Sequence, residues 1–425
     1  MYKRRAKCCD LRSLRGSRSR LNEAAVTRFA EKITRPMAPP IISGMKIVIA
    51  PQGFKGSLTA LQIAHAIEKG VKAVMPEAET VLVPAADGGD GTLQALVDSS
   101  NGTIETATVS DPLGRPIEAT WGAMGDGETA VIEMAGASGL ALLSLDELDP
   151  LNTTTYGTGE LFTAALDAGY RRFIVGIGGS ATNDGGAGLA QALGISLRDA
   201  SNNELGRGGA ALAGIDHIDM SNFDERLRGV EVTVACDVNN PLCGDDGAAA
   251  VFGPQKGATP ENIKQLDDAL SRFADVVEHD LGVSVRTRPG AGAAGGLGAG
   301  LMAFLNARLA AGVDIVLDAV GLDAKLEGTD LVITGEGQID HSTIFNKTPV
   351  GVAERAKKRD IPVIAIAGGL GEGYRETHAK GLDATFTLVS GPMSLDDAMA
   401  DTANLLAGIT EEIMRTIKIG RSLKS

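Results

Sequence analysis

Acidic, hydroxyl-bearing and lysine side chains recur in four glycine-rich segments of this sequence. The segments are 50–59 with Lys55 and Ser57, 86–92 with Asp87 and Asp90, 178–186 with Ser180, Asn183 and Asp184, and 334–347 with Glu336, Asp340 and Lys347. Glycine turns expose backbone N–H groups that bind anions, and a nearby lysine adds positive charge. Carboxylates hold Mg²⁺ or accept a proton from a hydroxyl group. These residue types together are the ones that phosphoryl transfer requires.

Each segment alone has a simpler interpretation. Gly-Asp turns commonly cap helices, Asp90 at a helix start would complement the helix dipole, and a single lysine such as Lys55 is usually solvated. Four such segments on one chain, each after a predicted strand, favour a shared anion-binding cleft instead. Asp87 or Asp184 is then the preferred proton acceptor.

Alternating strands and helices must position these segments. The run 45–51 is a short apolar strand, and the apolar spacing over 58–74 predicts a helix after it. A strand near Val81 and three more near Leu331, Val363 and Thr385 bring the number of expected parallel strands to five. We therefore predict an α/β fold of two domains. A doubly wound, flavodoxin- or Rossmann-like parallel-sheet domain comprises 45–98 and 286–420, and a mixed α/β domain, 99–285, is inserted into it.

The predicted inserted domain has its own pattern. Alternating runs between about 103 and 135 predict antiparallel hairpins, and 173–177 predicts a buried strand that opens into the glycine-rich segment 178–186. Another strand ends at Asp237, and a long amphipathic helix is predicted over Pro260–Leu281. Ligands in such folds bind beyond the carboxyl ends of the strands and in clefts between domains, so we expect the site there.

Composition and charge argue against several classes of protein. A net charge of −14 disfavours a nucleic-acid surface, and no uncharged apolar run reaches the roughly 18 residues of a membrane span. Four cysteines without CxxC spacing predict a reduced, cytoplasmic setting. The first 44 residues carry 11 Lys/Arg and 3 Asp/Glu, unlike the acidic remainder. We predict that this basic segment is a disordered or non-native extension, with an organellar transit peptide as the alternative.

The run 290–295, "GAGAAG", matches the GxGxxG pattern of dinucleotide-binding turns. The stretch before it is a poor buried strand, so a packing role is favoured over dinucleotide binding. A nicotinamide-dependent dehydrogenase that uses this loop is one alternative function. A non-catalytic sensor of a small acid or a nucleotide is another.

Ten motifs in order resemble the glycerate kinase type-1 family over nearly the whole chain after the leader. They are "MKIVIAP…FKGSL", "PAADGGDGT", "DPLGRP", "TTTYGTGEL", "GIGGSATNDGGAG", "VACDVNNPL", "FGPQKGA", "PGAGAAGGLGAGL", "LVITGEGQID" and "KTPVGVA". The resemblance implies ATP-dependent phosphorylation of D-glycerate with Mg²⁺, at the 2-hydroxyl in preference to the 3-hydroxyl, in a cleft between two domains. Two positions depart from the family pattern: Gln52 replaces an acidic residue, and Asn346 stands where Gly is common.

The predicted site residues fall into three groups. The catalytic residues are Asp87, Asp184 and Lys55; the substrate- and phosphate-binding residues are Ser57, Gly88, Gly89, Asp90, Gly178, Gly179, Ser180, Asn183, Gly335, Glu336, Gly337 and Lys347; and the metal ligands are Asp340 and Asp237. The predicted cofactors are ATP and Mg²⁺. We predict D-glycerate and ATP as small-molecule substrates, no nucleic-acid or membrane partner, and a monomer or homodimer.

Overall fold

The structure is a computed structural model that describes residues 44–89 and 91–424. The predictions made for the basic leader and for Asp90 lie outside these ranges. The strands are β1 Lys46–Pro51, β2 Glu79–Leu82, β3 Thr103–Ser110, β4 Pro116–Ala123, β5 Thr129–Glu133, β6 Arg172–Gly176, β7 Ser196–Arg198, β8 His217–Asp219, β9 Glu231–Ala235, β10 Arg308–Ala310, β11 Leu331–Ile339, β12 Val363–Leu370 and β13 Ala384–Thr387.

The α-helices lie between these strands and at the carboxyl end of the chain. They are α1 Ala60–Val74, α2 Thr92–Ser100, α3 Ala135–Ser138, α4 Tyr156–Asp167, α5 Ala187–Ala192, α6 Ala248–Phe252, α7 Pro260–Leu281, α8 Leu297–Leu305, α9 Gly312–Ala319, α10 Leu322–Lys325, α11 Thr348–Lys357, α12 Leu395–Ala400 and α13 Thr402–Lys424. Short 3-10 helices precede several of them, including Pro254–Lys256 and His341–Ile344. No helix of the described residues is both long enough and apolar enough to cross a membrane.

A parallel sheet of five strands has the order β13-β12-β11-β1-β2. This confirms the five predicted parallel strands, and the order is that of flavodoxin-like, doubly wound folds. The strand order reverses between β1 and β11, so the crevice at their carboxyl ends is the expected ligand position. One detail of the prediction is wrong: Gly335, Glu336 and Gly337 do not form a loop, because β11 continues through them and pairs with β12 as far as Ile339.

A second sheet of six strands has the order β10-β9-β6-β5-β4-β3. The pairs β3–β4 and β4–β5 are antiparallel, which confirms the predicted hairpins, whereas β5–β6, β6–β9 and β9–β10 are parallel. The division of the chain into domains stays a prediction. The segment 308–310, which that prediction places in the parallel-sheet domain, forms the edge strand β10 of the six-stranded sheet.

Helix caps explain where two of the longer helices begin. The predicted helix over Pro260–Leu281 is confirmed as α7; it starts at the Thr259 cap and ends at Gly282 in the left-handed region, with φ of 70°. The start of α1 is capped by Thr59, which forms a reciprocal pair of hydrogen bonds with Gln62. Ser57, two residues earlier in the chain, does not cap this helix.

The two sheets share apolar packing. One buried cluster surrounds the six-stranded sheet and includes Phe162, Phe173 and Phe273. The other surrounds the five-stranded sheet, yet it also contains Ile174 of β6 and Ala235 of β9. These two side chains pack the middle of β6 and the carboxyl end of β9 into the cluster of the five-stranded sheet.

Candidate functional site

Segments from both sheets meet at a cavity of about 240 Å³, which we call the central cleft. Three strands supply its walls at their carboxyl ends: β2, β6 and β9. Its lining consists of Gly88 and Gly89 after β2, Ile177, Gly178, Gly179 and Ser180 after β6, Ala235, Cys236, Asp237 and Val238 at the end of β9, and Phe252, Gln255, Ala293 and Ala294. Five of the predicted binding residues thus line one cavity, together with the predicted metal ligand Asp237.

Close backbone packing holds the loop after β2 in this position. Gly88 has a φ of +92°, and a Cβ added to it would lie 2.8 Å from the Cα of Gly312. Gly312 begins α9, and its N–H donates to Oδ1 of Asp237 at 2.9 Å. The start of α9 therefore positions Asp237 and the Gly88 turn together, and only glycine fits at the point of contact.

Three carboxylates from different strands influence one another here. Burial raises the pKa of Asp237, and the charges of Asp87 and Asp314 raise it further. Burial also raises the pKa of Glu336 to about 7, with Asp87 and Asp340 adding to the rise and a hydrogen bond from Thr343 opposing it. Asp87 acts on both neighbours, so the carboxylates of β2, β9 and β11 form one electrostatic group.

Asp87 is half-buried in the loop after β2. Its Oδ1 accepts a hydrogen bond from the N–H of Gly89 at 3.3 Å, and Oδ2 accepts none among the described residues. Asp87 therefore has one carboxylate oxygen that can receive a proton or face a cation, on the loop that supplies Gly88 and Gly89 to the central cleft.

Asp184 has a different environment, because it is completely buried. Its carboxylate accepts from the N–H groups of Thr155 at 2.8 Å and of Gly186 and Gly188 at 3.1 Å each, and from the Thr155 hydroxyl at 2.9 Å. Burial raises the pKa of Asp184, and the same amide donors oppose the rise. Both carboxylate oxygens thus accept hydrogen bonds from the segments around the starts of α4 and α5, and Asp184 holds these two segments together.

Two neighbours of Asp184 complete this buried region. Lys256 is 1% exposed, and its Nζ donates to Ser180 Oγ at 2.8 Å and to the Thr182 carbonyl at 2.7 Å. Burial lowers the pKa of Lys256 to about 7, against the opposing effect of the Asp184 charge. Asn183 is fully buried, and both atoms of its amide lack a hydrogen-bond partner within the described ranges. The sequence contains Lys256 in the "FGPQKGA" motif, yet nothing in the pattern alone assigns it a role.

Three other predicted residues make local contacts away from the central cleft. Asp340 Oδ1 accepts from the Ser342 N–H at 2.8 Å and so caps the 3-10 helix His341–Ile344. Lys347 Nζ donates to Ser342 Oγ at 2.8 Å. Ser57 Oγ donates to the Met399 carbonyl at 2.9 Å, which ties the loop after β1 to the end of α12.

In the part of the chain that the structure describes, no group of three or more His, Cys, Asp or Glu side chains is arranged to hold a metal ion.

Two further cavities lie near the strand ends. The β1 pocket, about 520 Å³, contains exposed Lys55 and half-buried Ser57 and reaches Ala86 and Gly91. The side pocket, about 350 Å³, shares Asp237 with the central cleft and extends to Phe345 and Asn346. The four predicted segments therefore contribute to three cavities along the strand ends.

The glycine-rich run 290–295 does not form a dinucleotide-binding turn. The residues before it, 282–289, contain no strand, and α8 begins after a 3-10 turn over Ala293–Gly296. A Cβ at Gly292 would lie 2.1 Å from the Pro241 carbonyl oxygen, and one at Gly295 would lie 2.0 Å from that of Thr182. The run thus allows close backbone packing, as favoured from the sequence, and the dehydrogenase alternative loses its basis.

Comparison with known proteins agrees with this architecture. A model of the Glycerate kinase family matches residues 47–418. The chain is 53% identical over 379 residues to a glycerate kinase of Bacillus subtilis (strain 168), covering 89% of this chain and 99% of that protein. It is 50% identical over 376 residues to the glycerate 2-kinase of Escherichia coli (strain K12), covering 88% and 99%. A crystal structure from Salmonella typhimurium LT2 that carries the name glycerate kinase 2 superposes with a TM-score of 0.84 at 49% identity, covering 89% of this chain and all of that one.

Proposed function

The chain belongs to the glycerate kinase family, and we propose that its central cleft is where a phosphoryl group passes from ATP to the 2-hydroxyl of D-glycerate. The observation that carries this placement is the meeting of Asp237 and the glycine residues of two loops at one cavity, with the charge of the adjoining Asp87 acting on Asp237. Phosphoryl transfer depends mainly on positioning and on charge stabilisation, and these groups provide both.

Asp87 is the proposed proton acceptor for the glycerate hydroxyl. Its half-buried carboxylate has an oxygen without a protein donor in the described chain and lies beside Gly88 and Gly89. Asp184, the other candidate from the sequence, is completely buried, and both of its oxygens accept hydrogen bonds from Thr155, Gly186 and Gly188. A base must reach the proton that it removes, so we assign Asp184 to organising the cleft wall.

The amides of Gly178 and Gly179, with Ser180, are the proposed anion-binding wall. Gly179 has a φ of +72°, a conformation that lets successive N–H groups turn towards one side. Lys55 is the proposed side-chain cation; it lines the β1 pocket, which shares the loop after β2 with the central cleft. Separate kinetic constants for the two substrates decide which of them occupies the glycine wall.

The donor set fits Mg²⁺. Oδ2 of Asp237 accepts no hydrogen bond from a protein donor in the described chain. The negative charges of Asp87 and Asp314 raise the pKa of Asp237, and the same charges would favour a cation at this position. Magnesium needs only one or two protein carboxylates because waters and phosphate oxygens complete its shell, so the absence of a three-residue cluster among the described residues is compatible with it. Bound there, the ion would neutralise charge on the transferring phosphate. Asp340, which caps a 3-10 helix, is the weaker of the two predicted ligands.

Replacing Asp87 with Asn tests the assignment of the base. The Asn keeps an acceptor for the Gly89 amide but cannot take a proton at neutral pH, so we expect kcat to fall by about 10²- to 10⁴-fold. The free energy of unfolding in urea should fall by no more than roughly 0.5 kcal/mol, because the Asn keeps the acceptor for Gly89 and removes a like charge from the neighbourhood of Asp237 and Glu336. Exposed Asp146→Asn is the matched control. An Asp87→Asn enzyme with wild-type kcat would refute the role of Asp87.

The position of the phosphate on the product tests the reaction itself. Purified protein should form ADP only with D-glycerate and Mg²⁺ present, and phosphorus NMR of the product should show a phosphate coupled to a single carbon-bound proton, as on a secondary carbon. Coupling to two such protons would instead identify the 3-phosphate. The absence of glycerate-dependent turnover would contradict the activity.

We further propose a cytoplasmic location, which suits the free thiols of Cys236 and Cys243. The choice between monomer and homodimer stays a prediction.

A further inference from the structure

We infer that Lys256 is a positioning residue that directs the hydroxyl hydrogen of Ser180 into the central cleft, where it donates to an anionic group of a bound substrate. The inference rests on the proposed placement of the reaction in this cleft. The anionic group is a carboxylate or a phosphate, and both substrates carry one. The kinetic constants of the two substrates, measured separately, distinguish these sources.

Lys256 is an unusual buried cation. Lys256 and Arg355 are the cationic side chains that are buried in the described part of the chain. Arg355 is surrounded by Asp314, Asp318 and Asp323, whereas the hydrogen-bond partners of Lys256 are neutral, namely Ser180 Oγ and the Thr182 carbonyl. A buried charge is expensive unless opposite charge compensates it. Asp184 provides part of that compensation, and a substrate anion in the adjoining cleft would add to it.

The hydrogen bond from Lys256 fixes the direction of the Ser180 hydroxyl. An ammonium group has three donors and no acceptor, so Ser180 Oγ accepts from Lys256 and cannot donate back to it. Among the described residues, Lys256 is the hydrogen-bond partner of Ser180 Oγ, so the hydroxyl hydrogen of Ser180 is left for another acceptor. Ser180 is 6% exposed and lines the central cleft next to Gly178 and Gly179. An anion bound against these amides would receive that hydrogen.

The same contacts would also exist if Lys256 only supported the loop through the Thr182 carbonyl. A double-mutant cycle separates the two roles. We expect Ser180→Ala to raise the KM of one substrate by about 10- to 100-fold, the loss of one hydrogen bond to a charged group, with a smaller change in the other KM. Lys256→Met should raise the same KM at least as much. The double variant should match Lys256→Met alone, because both changes remove one interaction.

An exposed lysine of α7 provides the matched control. Lys264 pairs with Asp268, and Lys264→Met should leave both KM values at the wild-type level. Effects of Ser180→Ala and Lys256→Met that multiply in the double variant would overturn the inference. Unchanged KM values in Ser180→Ala would overturn it as well, and so would effects on different substrates.

A second measurement decides the matter if Lys256→Met does not fold. Burial places the pKa of Lys256 at about 7, and Asp184 is the charged group that acts on it. Above that pH a neutral amine can accept the Ser180 hydrogen, so the affected KM should rise from about pH 6 to about pH 8.5 in the wild type. Ser180→Ala should lack that rise, while effects of Asp237 and Glu336, which also titrate at raised pKa values, remain in both proteins. An identical pH dependence in the two proteins would refute the inference.

Discussion

Replacing Asp184 with Asn should destabilise the fold far more than it impairs the chemistry. The carboxylate of Asp184 binds three backbone N–H groups and the Thr155 hydroxyl at a fully buried position. An Asn side chain has the same shape, but one of its two terminal groups is a donor. That group must face a donor wherever the amide is placed.

The size of the effect follows from the least harmful orientation. With its NH₂ in place of Oδ1 of Asp184, the introduced side chain leaves the Gly186 amide without an acceptor, which costs about 1–3 kcal/mol. The bonds from Thr155 and Gly188 survive on the other atom, but each loses its charge assistance, about 1 kcal/mol apiece. We therefore expect the free energy of unfolding to fall by about 3–5 kcal/mol.

Urea unfolding followed by circular dichroism measures this loss, and steady-state kinetics corrected for the folded fraction measure the remaining activity. Asp87→Asn is the paired variant, with the opposite pattern of a stable protein and a low kcat. The reasoning would be refuted if Asp184→Asn unfolded at the wild-type urea concentration while kcat fell as far as in Asp87→Asn. Asp184 would then be part of the chemistry.

Two further variants test other parts of the structure. The pKa of Glu336 is about 7 in the fold against an ordinary value of 4.5, so protonation stabilises the fold fully below pH 4.5 and this contribution is lost as pH rises through 7. In the wild type, the free energy of unfolding in urea should therefore decline by on the order of 3 kcal/mol between about pH 4.5 and about pH 8. Glu336→Gln is neutral at every pH and should flatten this decline. An equally steep decline in the variant would contradict the raised pKa of Glu336. Thr259 caps α7, because its Oγ1 accepts a hydrogen bond from the Asn262 N–H. Thr259→Ala removes this cap and should lower the free energy of unfolding by about 1 kcal/mol. The kcat of Thr259→Ala should equal that of the wild type. A lower kcat in this variant would mean that loss of stability alone impairs turnover.

Periodicity predicted the regular elements well because apolar spacing is a local property. Helix α7 has buried Leu266, Leu270 and Phe273 on one face, at the spacing that identified it in the sequence. The end of β11 was missed because Gly335 and Gly337 are typical of turns. In the structure Gly335 lies within the strand, where a Cβ would be 2.1 Å from the Ile366 carbonyl oxygen, so the glycine is required by close packing of neighbouring backbones.

The candidate site was predictable as a set of segments but not as a set of roles. Asp87 and Asp184 each precede a Gly-Gly pair in a loop after a strand, and both were candidates for the base. Their difference is one of burial and hydrogen-bond donors, which depends on Thr155 and on the turn before α5. Similarly, Ser57 and Thr59 are both hydroxyl residues near the start of α1, but only Thr59 has Gln62 three residues later to complete the capping pair. That signal was available in the sequence.

The position of Asp87 relative to Asp237 depends on packing between layers, which no local pattern contains. Asp87 follows β2 of one sheet and Asp237 follows β9 of the other, and they approach because Gly312 at the start of α9 contacts both segments. Ala235 of β9 belongs to the same buried cluster as Val316 of α9, so the arrangement is held by apolar side chains as well as by the Gly312 N–H bond to Asp237. Groups fixed in this way need little rearrangement when charge develops on a transferring phosphate. The effect of a substitution at Asp87 should therefore fall on kcat, since the wall that holds it does not depend on its charge.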